Sequence, residues 1–174
     1  PRLVIPGFRI SEEAIEKDIA LMRFYGAEVK LNTPAPSVSE LKAMGYTHIL
    51  YAVGAWKPGQ LGIPGDVAGA IQWMKGVKAG NISVGGNVAV VGAGNTAMDA
   101  ARLAKRSGAQ HVTIVYRRTR KYMPADEHEL ALALADGVTF AELCAPVEQK
   151  DGVLRCEKIA IGPEETSGEL FDRV

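Results

Sequence analysis

The sequence predicts an α/β fold built on a parallel sheet, and three observations predict it. Helix-like and strand-like stretches alternate along the chain from its start. In the middle, "NVAVV", "GAGNT", a helical stretch and "VTIVY" run in the order strand, glycine loop, helix, strand. Near the end, Asp151-Gly152 separates two β-rich runs, as in a hairpin on a tight turn.

The elements follow in order. Ser11 before Glu12 and Glu13 has the form of a helix start, with a capping hydroxyl and acids in the positive first turn. Ile15, Ile19 and Met22 then share one face, and Gly26 suits the stop. Glu28 to Leu31 is expected to be a short strand. Ser37 with Glu40 makes a capping box for a short helix ending at Gly45. "HILYAV", His48 to Val53, has the composition of a buried strand. "KPGQLGIPGD" is dense in turn residues and is the expected boundary between two structural units. A helix from about residue 68 to 78 follows, then a loop, "AGNISVGGN", into the central unit. Its helix is expected over 96–107. A further helix over 126–135, a strand near 138–143 and the hairpin complete the order, and "GPEETSGELFDRV" is a polar tail.

Composition is that of an ordinary globular chain, 47% apolar with a formal net charge of zero. A balanced total does not suggest a nucleic-acid binder, and no apolar run approaches the roughly 20 residues of a membrane span. The charge is unevenly spread, however. Between Ala100 and Ala125 there is no acid, while Arg102, Lys105, Arg106, Arg117, Arg118, Arg120 and Lys121 all fall there. Cys144 and Cys156 lack Cys-x-x-Cys spacing, which points to reduced thiols of a cytoplasmic protein rather than to a metal site.

Gly92-Ala93-Gly94-Asn95-Thr96-Ala97 matches G-x-G-x-x-[GA]. Glycine loops are common, but this one follows an apolar strand, opens a helix and is closed by a second strand. That context is the Rossmann-like, three-layer dinucleotide-binding arrangement. Gly92 would make the tight turn, Gly94 would let a pyrophosphate approach the backbone, and Ala97 would let the helix pack closely. A protein that binds NAD typically carries an acid about 20 residues past the glycines, to hold the ribose hydroxyls. Here Arg117 stands 20 residues after Ala97, with Arg118 and Arg120 beside it and no acid near in sequence. Arginine at this place accommodates a 2′-phosphate, so NADP(H) is the expected ligand. The bland alternative is a solvated basic strand end. Asp99, His111, His128, Trp56 and Trp73 are read as packing, capping, lid or surface residues, and no catalytic constellation or metal-ligand set can be assembled.

"VAVVGAGNTAMDAARLAKRSGAQHVTIVYRRTRKYMPA" closely resembles the NADPH-binding segment of the small (β) subunit of glutamate synthase. It is similar, too, to related flavin-dependent subunits of dihydropyrimidine dehydrogenase and selenate reductase-type proteins. "IPGFRIS" and "YAVGAWKPGQLGIPG" resemble further motifs of that family in the family's order, although Ala52-Val53-Gly54 departs from its Ala-Thr-Gly turn. The resemblance runs from about Ile5 to Gly168. It implies two nested domains: residues 1–56 as a partial FAD-domain segment, 57–64 as linker, 65–161 as the NADP(H)-binding domain with a C-terminal hairpin or meander, and 162–174 as a tail leading back toward the FAD domain. By resemblance the pyrophosphate role falls on Gly92, Ala93, Gly94, Asn95, Thr96 and Ala97, and the 2′-phosphate role on Arg117, Arg118 and Arg120. Gly54 inherits the turn near the flavin side. The family's FAD-binding glycine loop is missing, so FAD is expected in a longer parent and not on this chain. The expected partners are the rest of that FAD domain and an iron–sulphur domain or subunit, with no nucleic acid. The implied function is to pass hydride from NADPH to FAD and on to iron–sulphur clusters. The alternative is a non-catalytic NADP-sensing module.

Overall fold

A computed structural model of the chain describes residues 2–54 and 59–161. Two compact units are formed, Pro1–Arg9 with Pro58–Val174, and Ile10–Lys57. Trp56, part of the expected linker and the tail 162–174 lie outside the described residues. Among the described residues no helix is long and apolar enough to cross a membrane.

The smaller unit holds two helices. α1, Glu12–Phe24, is capped by the Ser11 hydroxyl, which accepts from the Ala14 amide, and it stops at Gly26 with φ +84°. α2, Val38–Ala43, carries the full capping box between Ser37 and Glu40. Glu40 is held below the usual carboxylate range by its bonds from the Ser37 hydroxyl and amide. The strands expected at 28–31 and 48–53 do not form: both segments are irregular. Leu50, Tyr51 and Val53 are 91, 64 and 70% exposed rather than buried. A strand exists only through partners for its N–H and C=O groups, and no neighbouring strand is present among the described residues of this unit. Of the apolar face of α1, Ile15 is buried and Met22 is exposed.

The larger unit runs α3 (Ala70–Lys78), β1 (Asn87–Val91), α4 (Asn95–Arg106), β2 (His111–Val115), a 3₁₀ turn (Arg120–Tyr122), α5 (Glu127–Ala135), β3 (Thr139–Ala141), β4 (Cys144–Lys150) and β5 (Val153–Lys158). β1, β2 and β3 form a parallel sheet in that order, with Val91 beside Val115 and Val115 beside Ala141. β4 and β5 pair antiparallel across Asp151-Gly152. The sheet's apolar strands and the alanine-rich α4 make the core: Met98, Val112, Ile114 and Leu130 are all but fully buried. Burying each such side chain stabilises the fold by about 1.5–3 kcal/mol. Trp73 of α3 is partly buried and packs against this core. The connection before α3 is pinned to β4, where the Gln149 amide donates to the Pro64 carbonyl at 2.9 Å. At Gly65 the two chains lie so close that a Cβ would fall 2.1 Å from the Gln149 carbonyl oxygen.

Residues 2–9 fold with this larger unit rather than with the segment that follows them. Pro6 is fully buried. The Phe8 ring lies under the guanidiniums of Arg102 and Arg106, at 4.4 and 4.8 Å from its centroid. Arg9 bridges Asp99 of α4 and Glu129 of α5, and Lys78 of α3 donates to the Arg2 carbonyl at 2.7 Å. Asp99 is therefore the ion-pair partner of a strap that no local pattern announced. Behind the strap, Asp136 accepts from Arg102 at 2.7 Å and from Arg106 at 2.9 and 2.7 Å. Arg102 is only 6% exposed. A guanidinium so placed is tolerable only while paired.

This cluster generates a stability prediction. Asp136→Ala strips the buried Arg102 of its carboxylate and should cost about 3 kcal/mol in urea unfolding. The folded-state acidity gives the pH dependence. Bonds from Arg106 and then Arg102 hold Asp136 below its ordinary 3.8, and the bond from Arg9 holds Glu129 below its ordinary 4.5. The unfolded chain thus binds these protons first. The stabilisation is complete above those ordinary values and is lost as pH falls through them toward the lowered ones. Asp136→Asn should show a shallower acid limb than the parent, and an unchanged limb would remove Asp136 from the account.

Candidate functional site

The site is built where β1 meets α4. β1 ends at Val91, and Gly92 turns the chain with φ +113°, a conformation that favours glycine. The Gly92 amide donates to the Val115 carbonyl at 2.9 Å, which ties the turn to the tip of β2. Ala93 is buried, and its carbonyl accepts from the Ala125 amide at 3.0 Å. Gly94 then caps α4 with φ −89° and ψ 173°, and its carbonyl accepts from Ala97 and Met98.

Gly94 differs in kind from Gly92. Its backbone is extended and open to any residue, and a Cβ built on it meets nothing within 4 Å. Neither strain nor crowding within the folded chain calls for glycine at 94. The vacant volume lies at the N-terminal end of α4, which has no side-chain cap and no acid in its first turn. Among the described residues, the amides of Gly94, Asn95 and Thr96 are bonded to no acceptor. Three free N–H groups and the positive end of the helix dipole make a position for an anion. Ala97, Ala100, Ala101 and Ala104, all nearly or fully buried, bring α4 close to the sheet and fix that position.

The arginines lie at the same carboxyl edge of the sheet, because β1 and β2 run parallel with Val91 beside Val115. β2 finishes at Val115, and Tyr116 continues its pairing: its amide donates to Ala141 and its carbonyl accepts from Cys144. Burial pushes the Tyr116 phenol above its ordinary pKa, against the opposing pull of Arg118 and Arg117. Arg117 follows with an exposed side chain, and Arg118 is half-buried. Arg120 sits one turn further on and opens the 3₁₀ turn, with its guanidinium 3.9 Å from Glu127. Arg117 and Arg118 thus stand at the β2 tip, beside the glycine loop that Val115 holds. Arg120 is shared with an acid of α5. Gly54 belongs to the smaller unit and has φ +75°.

Sequence reasoning missed Glu142. It follows β3 and accepts from the Arg120 amide, so an acid does approach the arginine turn in space. The signal was there to find, because the third strand of a strand–helix–strand series lies beside the second. The strap residue Arg9 carried no such signal. A broad open cleft of about 1740 Å³ is lined by β1, by Thr96 and Ala100 of α4, by Asp66 and Trp73, and by the starts of β2 and β3.

Known proteins share this arrangement. The protein of Escherichia coli (strain K12) named "Putative oxidoreductase YgfK" is 36% identical over 172 residues, covering 95% of this chain and 17% of its own. The glutamate synthase (NADPH) small chain of Azospirillum brasilense is 30% identical over 161 residues, 82% of this chain and 33% of its own. The chain therefore spans a third or less of the length of these relatives. Among solved structures, 2-naphthoyl-CoA reductase in complex with 2-naphthoyl-CoA superposes with a TM-score of 0.64 over 90% of this chain and 24% of that one. At 17% identity this is a likeness of fold. Residues 11–149 match the family described as pyridine nucleotide-disulphide oxidoreductase. That span takes in the glycine turn, α4, the arginine-tipped β2 and most of β4, and the chain belongs to this family.

Proposed function

We propose that this chain is the NADP(H)-binding part of a flavin-dependent oxidoreductase subunit of the glutamate synthase small-chain type. One observation carries the reading. Gly94 has ordinary backbone angles and unfilled space where a side chain would be, at a helix N-terminus whose first amides are free. A pyrophosphate would account for both the missing side chain and the free amides. Arg117 and Arg118 at the neighbouring strand tip would hold the 2′-phosphate, and the edge of β1 leaves an open course for the nicotinamide half. A relative's name that specifies NADPH supports the same nucleotide.

On this reading the side chains here bind and orient. The nicotinamide and a flavin supply the redox chemistry when bound, with no acid or base required of these residues. The smaller unit supports a larger assembly, since Leu50, Tyr51, Val53, Phe24 and Leu31 expose apolar surface that a complete domain would cover. We assign it to part of a FAD-type domain, with Gly54 on the flavin side. The remaining FAD domain and an iron–sulphur domain or subunit are the proposed partners, in the cytoplasm, with electrons passing from flavin to the clusters.

Three outcomes follow. Arg117→Ala should weaken NADP⁺ by about 1.5–3 kcal/mol, roughly ten- to hundredfold, and leave NAD⁺ nearly unchanged in a titration. Equal losses would return the arginines to a solvated surface. Gly94→Val should fold with a stability close to the parent's, because neither backbone nor neighbours resist it, while binding of both nucleotides is abolished. Normal binding by the folded variant would reduce the loop to a turn. Finally, the chain as it stands should be colourless after purification and should not reduce an artificial electron acceptor with NADPH. Its single G-x-G-x-x-[GA] loop is assigned to the nucleotide. Stoichiometric bound flavin would refute this division of sites.

A further inference from the structure

The arginine turn is held from several sides. The Tyr116 hydroxyl donates to the Tyr122 carbonyl at 2.7 Å and so closes the loop across its base. The ring beneath is buried and leans on Phe140, with centroids 6.2 Å apart. Phenylalanine would fill the same volume, so the hydroxyl's contribution is this one bond. Across the turn, Glu142 accepts from the Arg120 amide, and the next residue, Leu143, donates its amide to the Arg118 carbonyl at 3.3 Å. Further on, the Ala125 amide bonds Ala93 and returns the loop to the glycine turn. Residues 116, 118, 120, 122 and 125 are all fastened, and Arg117 remains exposed between them.

Glu142 is the unexpected member. A carboxylate beside a phosphate site opposes the phosphate, and with Arg117, Arg118 and Arg120 near in the chain an ion pair would be its ordinary use. Among the described residues it accepts instead from a backbone amide, that of Arg120. The gain from that bond is order: a loop fixed before binding loses less freedom when it closes on a ligand.

We infer that Tyr116 and Glu142 are positioning residues that set the preference for a 2′-phosphorylated dinucleotide, by holding the Arg117–Arg120 turn in its binding shape. The inference rests on the proposed 2′-phosphate role of the arginines, and its test separates the two. NADP⁺ and NAD⁺ are titrated into the parent chain, Tyr116→Phe, Glu142→Ala, Glu142→Gln, and Arg117→Ala as reference. Tyr116→Phe and Glu142→Ala should each weaken NADP⁺ about three- to tenfold while NAD⁺ changes by less than about twofold. Glu142→Gln keeps an acceptor oxygen and drops the charge, so NADP⁺ should bind at least as tightly as to the parent. A residue that only supported the fold would weaken both nucleotides together, and that result overturns the inference. So does a loss in Glu142→Gln as large as in Glu142→Ala. If Arg117→Ala loses NADP⁺ selectively while Tyr116→Phe and Glu142→Ala do not, the inference fails and the 2′-phosphate reading stands. If Arg117→Ala has no effect, that reading falls and the inference with it. Should Tyr116→Phe fail to fold, the Glu142 pair decides alone.

Discussion

The close approach of α4 to β1 and β2 is the constraint on which the larger unit depends. Four alanines on one face of the helix, at 97, 100, 101 and 104, are nearly or fully buried and add only methyl groups to its packing. The distance this permits fixes where the helix begins, and hence how sharply the chain must turn after Val91. Gly92 makes that turn in the left-handed region. Larger residues on this face would force α4 outward. The Ala93 to Ala125 and Gly92 to Val115 bonds could not then both close. The same packing aims the N-terminal amides of α4 past the tip of β1, so core packing and the candidate anion position are one feature.

Charge is arranged around that helix in two ways. The run of bases from Arg102 to Lys121 reads in sequence as one positive segment, but the fold divides it. Arg102 and Arg106 turn to Asp136 and Phe8, and Lys105 donates to the Gln110 carbonyl at 2.7 Å. Those bases are spent on the fold. Arg117 and Arg118 come to the β2 tip, where the glycine turn is bonded, and Arg120 is divided between Glu127 and the turn that Glu142 holds. Only the second group lies at the β2 tip beside the glycine turn, although a count of charges makes no distinction between the two.

The legible parts of the sequence were those fixed by local rules. The central strand, loop, helix and strand were readable because apolar period, glycine placement and strand composition agree over residues 87–116. The Ser37–Glu40 box and the Asp151-Gly152 hairpin were readable because each is settled within a few residues. Residues 28–31 and 48–53 were misread for the opposite reason. Their composition suits a strand, but a strand is completed by a neighbour, which composition does not disclose. The strap of residues 2–9 escaped notice because Phe8 and Arg9 meet partners some 90 to 120 positions away. At the site, loop and arginines could be named from sequence, whereas Glu142 required knowledge of which strand ends lie together.

The two glycines of the loop differ in what the folded chain asks of them. Gly92 has a reason inside the folded chain, its positive φ, and would be glycine whether or not anything bound there. Gly94 has none: its angles suit any residue and its missing side chain borders empty space. A larger residue there would lower the conformational freedom of the unfolded chain and so favour folding. Glycine at 94 therefore runs against the stability of this fold, and what it leaves room for must be supplied from outside. The free amides of Gly94, Asn95 and Thr96 and the acid-free first turn of α4 specify the character of that group. An anion that approached the backbone directly would match that character, at the end of the chain of contacts that Ala97 and Val115 fix.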